Sequence, residues 1–476
     1  MNAVDKEVTL ATGTQAGFAQ IIGAWVAGLN YADLSPEVLH WARVGIIDTF
    51  GVTFAGARED APRLAARALG DNAGPCLVLG TQRRTTALDA SLINGTASHA
   101  LDFDDCNNTM GGHPSVPLLA ALLPLAEELN SSGADLVTAY VAGFEVETKI
   151  AMAVNFHHYT KGWHPTSTLG TFGAAAAAAR LMGLDAAATA VALAIAASFA
   201  SGIKANFGTM TKPLHIGHCA RNGLYAARLA SLGFTANPES VFEHKQGFLD
   251  VFNGPGTYDV ARALAAWAAP YDIVTPGIAI KQYPCCGSTH PAVDSALAIY
   301  REHQPRGEDI ERIELRTHSR RLQHTNRPAP NSSLDAKFSV QYVVTRALLS
   351  GHVGVSDFED GTYDEPAVRA LLTRVHAAAY NETGDGGFSA DNHFGGLVRV
   401  TLKDGTVLAA QVDQPLGRTS ANALPEAMLH RKFELCALKV LQPDAIAAIT
   451  EDISHIDSLP SIRALTARIA AATLAS

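Results

Sequence analysis

Between about residue 14 and residue 270 the apolar residues recur at helical spacing, and strand-like alternation is nearly absent. SPEVLHWARVGIIDTFGVTFAG is an example: Ser35 stands at a cap position, with Glu37 two residues later. LLAALLPLAEELNSSGADLVTAYVAGFEVETKIAMAV is another. Alanine and leucine dominate these runs and favour helix, while glycine and other small residues let helices approach closely. After Pro270 the pattern changes. ERIELRTHS and GLVRVTLKDGTVLAAQVDQP alternate as half-buried strands do, the second as a hairpin turning at Asp404-Gly405. THPAVDSALAIYREH and FSVQYVVTRALLSG supply helices in the same region, and from about Leu424 ALPEAMLHRKFELCALKVL is helical again. The expected architecture is mainly α: a large all-helical domain, residues 1–270 and 418–476, with a smaller α+β domain, 271–417, inserted. No fixed period relates the helical segments, which argues against a solenoid.

A chain of 476 residues with 47% hydrophobic and 17% charged residues can bury a large core. Its net charge of −10 argues against a general role on nucleic acid or an anionic membrane. MNAVDKEVTLATGTQ has neither a basic nor an apolar signal region, so a cytoplasmic location is expected. FGAAAAAARLMG and AVALAIAASFASG are too short or too weakly apolar for a bilayer span and read as buried helices. The six cysteines form no CxxC pair, so structural zinc or an iron-sulfur cluster is not expected.

Three His-Pro steps, His113-Pro114, His164-Pro165 and His290-Pro291, each open a long helical pattern. Proline suits the first helical position and pushes the residue before it out of the α region, which places each histidine at an N-cap. Unpaired N–H groups and the helix dipole favour an anion there and lower an adjacent imidazole's pKa toward the neutral, basic form.

HALDFDDCNNTMGGHPS gathers Asp102, Asp104, Asp105 and His113 around a short polar loop. A carboxylate can fix a histidine's tautomer, a role that suits Asp102 toward His113; Asp104 and Asp105 read as ordinary caps or solvated groups. KGWHPTSTLGTFGAAAAAARLMG surrounds His164 with hydroxyls that could cradle a carboxylate or enolate oxygen, although a simple N-cap explains it too. In TMTKPLHIGHCARNGLYAARLASLGF, Lys212 offers a charge for a carboxylate, with His215, Gly217 and His218 just before the helix and His218 packing structurally. IKQYPCCGSTHPAVDSA lies at the seam of the two domains, where Lys281 could supply a second cation, one of Cys285 and Cys286 could line a pocket, and His290 reads as a cap. NFHHYTKGWH is His-rich, but no HxxxH with a supporting glutamate occurs; nor does a Walker A sequence or a GxGxxG after a strand. Neither metal nor nucleotide cofactor is expected.

Taken in order, HALDFDD followed by GHPS, GWHPTSTLGTFGAA, TKPLHIGHCARNG, KQYPCCGSTHP and DAKFSVQY resemble the MmgE/PrpD family over nearly the whole chain. That family includes 2-methylcitrate dehydratases, cis-aconitate decarboxylases and iminodisuccinate epimerases. The resemblance implies a helical domain joined to an α+β lid, a homodimer, and catalysis without metal or organic cofactor. It makes Asp102, His113, His164, Lys212 and Lys281 the catalytic set, with Cys106, His215 and Cys286 at the substrate. Cys106 and Cys286 stand where the family's decarboxylases have threonine and histidine, and the loop before His113 is one residue longer, which directs expectation away from cis-aconitate decarboxylation. The loop and GWHPTSTLG look more like the epimerase, whereas KQYPCCGSTHP is the generic bacterial form.

The chemistry common to such activities is a carbanion or enolate next to a carboxylate, which needs a base, cations and fixed donors. A dehydratase acting on a small di- or tricarboxylate is the first expectation and an epimerase the second. A helical interaction scaffold without catalysis is the alternative of another class; it requires these segments to be exposed and to share no cleft.

Overall fold

The computed structural model describes residues 16–380, 387–389 and 392–475. MNAVDKEVTLATGTQ and residues 381–386 and 390–391 of the irregular stretch YNETGDGGFSADNHFGG lie outside the described residues. The helical expectation holds in detail where local chemistry is strong. Ser35 Oγ accepts the Val38 N–H at 3.3 Å, Pro36 takes the first helical position, and the helix runs Pro36–Gly56. The long apolar run beginning LLAALL is two helices, Ser115–Leu129 and Gly133–Val154: Asn130 adopts a left-handed φ of 55° and Ser132 caps the second. The Ala-rich runs become the helices Gly170–Leu181 and Ala186–Phe199, with Ala174–Ala179 fully buried.

Small residues decide how closely these helices meet. A Cβ on Gly95, in the helix Ala87–His99, would stand 2.7 Å from the Gly217 Cα in the helix Thr211–Ser231. This contact brings together the two helices that carry His99 and Lys212. The region is not entirely helical, since Cys76–Leu77 and Arg84–Thr85 form a two-residue antiparallel pair.

Beyond residue 280 the strands form one four-stranded sheet in the order Val375–Ala379, Ile310–Thr317, Gly396–Leu402, Val407–Val412. The first pair is parallel and the other two are antiparallel. The hairpin turns at Asp404-Gly405, where Gly405 takes φ 88°. The helices His290–His303 and Val340–Ser350 pack on the sheet.

The larger two apolar clusters divide along the chain. One draws on residues 18–280 and 429–472, so that Glu426–Ala437 packs on Pro36–Gly56; the other draws on residues 283–400. The fold is mainly α with small sheets. Among the described residues no helix is long and apolar enough to cross a membrane.

Candidate active site

The helix Ala87–His99 ends in His99, and the chain then enters the loop that holds Asp102, Asp104 and His113. Asp102 has φ 53°, a left-handed conformation uncommon for a side-chain-bearing residue, so the surroundings must hold it. Three lysines do so. Lys337 Nζ donates to the Leu101 carbonyl at 2.8 Å, Lys281 to the Asp102 carbonyl at 2.7 Å, and Lys432 to the Phe103 carbonyl at 2.8 Å. Each comes from a different segment beyond residue 280.

The Asp102 carboxylate faces cations. Lys212 Nζ lies 2.5 Å and Lys281 Nζ 3.3 Å away, with all three side chains buried. Burial opposes ionisation of Asp102, but the two lysines outweigh it and hold the carboxyl well below its usual range. Lys281 is likewise held as a cation, burial being outweighed by Asp102. The expectation that Asp102 orients a histidine is therefore wrong, because its oxygens are committed to Lys212 and Lys281.

That role falls to Asp104, which was expected to be a cap or a solvated group. Asp104 and Asp105 are both fully buried. Asp104 Oδ2 lies 2.7 Å from His99 Nδ1 and 3.1 Å from His113 Nδ1. Asp105 instead bonds Ser115, and burial pushes its carboxyl well up.

His113 Nδ1–H also donates to the Asp105 carbonyl at 2.7 Å, which fixes the tautomer and leaves Nε2 for chemistry. Its backbone N–H donates to Thr166 Oγ1 at 3.0 Å, so a hydroxyl of the His164 segment buttresses it. Pro114, not His113, is the N-cap of Ser115–Leu129. Its pKa moves opposite to expectation: burial disfavours the imidazolium, but Asp104 and the Cys106 sulfur outweigh burial and raise it to about 10.

His164 matches expectation as the N-cap before Pro165. Its ring lies 5.8 Å from that of His99, which in turn lies 4.6 Å from the His113 ring. Burial, with His99, Lys212 and His215 nearby, pushes it well below the usual imidazole range. His164 Nδ1 pairs with His215 Nδ1 at 3.1 Å, and burial lowers His215 to about 4. His215, Gly217 and His218 sit inside the helix Thr211–Ser231 and not before it; His218 is exposed on that helix and is no structural packing group.

Cys106 joins the seam to the loop, since Cys106 and Ala279 exchange backbone hydrogen bonds of 2.8 and 2.7 Å. Its sulfur is 3.8 Å from His113 Nδ1, and although burial raises thiol pKa values, His113 and Lys281 outweigh it and lower this one to about 7. Cys286 also reaches about 7, burial being outweighed by His324. Cys106, Lys281, His290 and Arg418 line one cavity. His290 is the first residue of His290–His303, with Thr289 as the cap, so its expected capping role is corrected; it borders the cavity, and burial lowers it to about 3.

Among the described residues one group could converge on a metal ion, His99, Asp104 and His113, whose donor atoms lie within 4.8 Å of one another. In this geometry His113 Nδ1 donates to a carbonyl and so offers no lone pair there.

Lys212 and Lys281 therefore meet on Asp102, and His113 and His164 meet on His99. The residues that sequence reasoning passed over are His99, Asp104, Lys337 and Lys432. The first two lie inside the quoted HALDFDD segment, but nothing in a linear pattern says which aspartate faces a ring. Lys337 lies inside the quoted DAKFSVQY motif but was not singled out there, and Lys432 is one of several charged residues in a helical pattern.

Residues 20–261 match the MmgE/PrpD N-terminal domain and residues 283–455 the MmgE/PrpD C-terminal domain. The chain belongs to the MmgE/PrpD family. It is 32% identical to a human cis-aconitate decarboxylase, covering 93% of this chain and 92% of that protein. A mouse cis-aconitate decarboxylase is 31% identical over 93% of this chain and 91% of its own length. A mitochondrial 2-methylcitrate dehydratase of Yarrowia lipolytica is 22% identical over 90% of this chain and 86% of its own. The relatives are lyases of two kinds.

Proposed function

We propose that this chain is a lyase that removes a proton next to a carboxylate of a small di- or tricarboxylate and expels water. The observation behind this is the contrasting surroundings of two histidines packed on the same His99 ring: burial beside His99, Lys212 and His215 favours a neutral His164, whereas the Asp104 carboxylate at 3.1 Å favours a charged His113. His164 takes the proton on carbon, the electron pair forms the new double bond, and His113 Nε2 delivers a proton to the departing hydroxyl. Lys212 and Lys281, held by Asp102, sit beside the developing enolate charge.

Cis-aconitate decarboxylation is the second reading, favoured by the names of the human and mouse relatives. It needs the acid, His113, to protonate the carbanion left by CO2, and no base. Epimerisation requires both histidines to exchange one proton on opposite faces of one carbon. The scaffold alternative asked for exposed, scattered segments, against which stands the burial of Asp102, His164, Lys212 and Lys281. A cytoplasmic homodimer that works without a cofactor, with the α+β part as a lid, belongs to the same proposal.

Incubating the protein with 2-methylcitrate, citrate and cis-aconitate in D2O and following the acids by NMR tests it. Loss of water from a hydroxy acid is expected. Release of CO2 from cis-aconitate alone would replace dehydration by decarboxylation, and deuterium gain with neither would leave an epimerase.

A further inference from the structure

Burying a cation without a counter-ion is costly, so the pairing of each buried cation at the site is informative. Lys212 and Lys281 share Asp102, and Lys432 has Asp48 at 2.6 Å. Two half-buried arginines beside the site have no carboxylate among the described residues. Arg418 lines the cavity with Cys106 and Lys281, and its buried Nε has no hydrogen-bond partner. Arg321 gives its Nε to the His393 carbonyl and reaches Ser288 Oγ at 3.4 Å.

The two converge. Their guanidinium carbons lie 4.8 Å and 4.5 Å from the centroid of the same ring, Phe394, which holds both planes in place. A Cβ on Gly287 would stand 3.7 Å from Arg418 Nη1 and 3.9 Å from Lys281 Cε, so the arginine and the lysine approach one point, kept open by the missing side chain. Burial, and next Arg418, pull the Arg321 pKa down to about 9. Two guanidiniums gathered on one ring, one of them beside Gly287, suit an anion with planar, bidentate oxygens.

We propose that Arg321 and Arg418 are the residues that clamp the second carboxylate of the substrate, remote from the carbon that loses its proton, and that they set the discrimination against monocarboxylates. This rests on the carboxylate-lyase reading above, but binding tests it separately from turnover. The probes are tricarballylate, a saturated tricarboxylate with no hydroxyl to lose, and butyrate, measured by calorimetry and thermal shift on the full chain.

Wild type is expected to bind tricarballylate at least about tenfold more tightly than butyrate, and R418M and R321M each to lose about tenfold or more for tricarballylate with butyrate unchanged. R418K should retain part of the affinity. Without ligand, R418M should melt no lower than wild type, because a cation with no carboxylate partner has been removed, whereas an arginine with a structural role would lower the melting temperature. Equal binding of the two acids by wild type, no binding of tricarballylate, or undiminished binding by both methionine variants would overturn the clamp. Should a methionine variant fail to fold, the wild-type ratio and R418K decide. A different reaction in the D2O experiment, with the tricarballylate preference intact, would remove dehydration and leave the clamp.

Discussion

His113 and His164 follow the same rule in the sequence, a histidine before a helix-opening proline, yet the folded chain surrounds them differently, favouring a charged His113 and a neutral His164. His164 is surrounded by groups that oppose a proton: His99, His215 and Lys212. His113 has the Asp104 carboxylate at 3.1 Å, strong enough to reverse the effect of burial. The contrast teaches that a helix start supplies only a modest bias, of the order of 1 kcal/mol, whereas one buried carboxylate within ion-pair distance shifts a pKa by units.

The strongest way to break the contrast is Asp104→Asn. It should return His113 toward or below the usual imidazole pKa and cost about 10²- to 10⁴-fold in kcat, read by steady-state kinetics together with NMR titration of the His113 ring. An unchanged His113 titration would show that Asp104 does not set its charge.

A pH series sharpens the same point through stability. The folded His113 pKa, about 10, lies above the ordinary imidazole value, so its ion pair stabilises fully below about pH 6.5 and is lost as pH rises toward 10. The stability difference between wild type and H113N, from urea unfolding, should therefore shrink over that interval. A difference constant from pH 6.5 to 10 would contradict a charged His113.

The smallest effect is expected at the other histidine. His215→Asn removes the ring that pairs with His164 at 3.1 Å, so it should cost roughly 10- to 100-fold in kcat with little change in KM, consistent with a positioning residue. An effect confined to KM would place His215 at the substrate instead, as the sequence suggests.

Periodicity and turn chemistry read the mainly α class, the Ser35 cap and the Asp404-Gly405 hairpin directly, because each depends on residues a few positions apart. The same local rules missed the break at Asn130-Ser132 inside a continuous apolar run, and the start of the Lys212 helix at Thr211. Residues 99–115, 161–183, 209–234 and 280–296 were legible as site segments because polar, proton-carrying groups are unusual amid apolar helices. Their wiring was not. Asp102 and Asp104 differ by two positions in a loop, and a left-handed φ at Asp102 turns one carboxylate to lysines and leaves the other to histidines.

By itself, then, the sequence determined the elements, the family and the residue types gathered at the site, since those follow from local spacing and from ordered motifs. Only the tertiary structure decided which carboxylate serves which cation, which histidine favours its proton, and which arginines have no carboxylate among the described residues. Those outcomes depend on Coulomb interactions and desolvation over a few ångströms, between residues as far apart in the chain as Phe103 and Lys432.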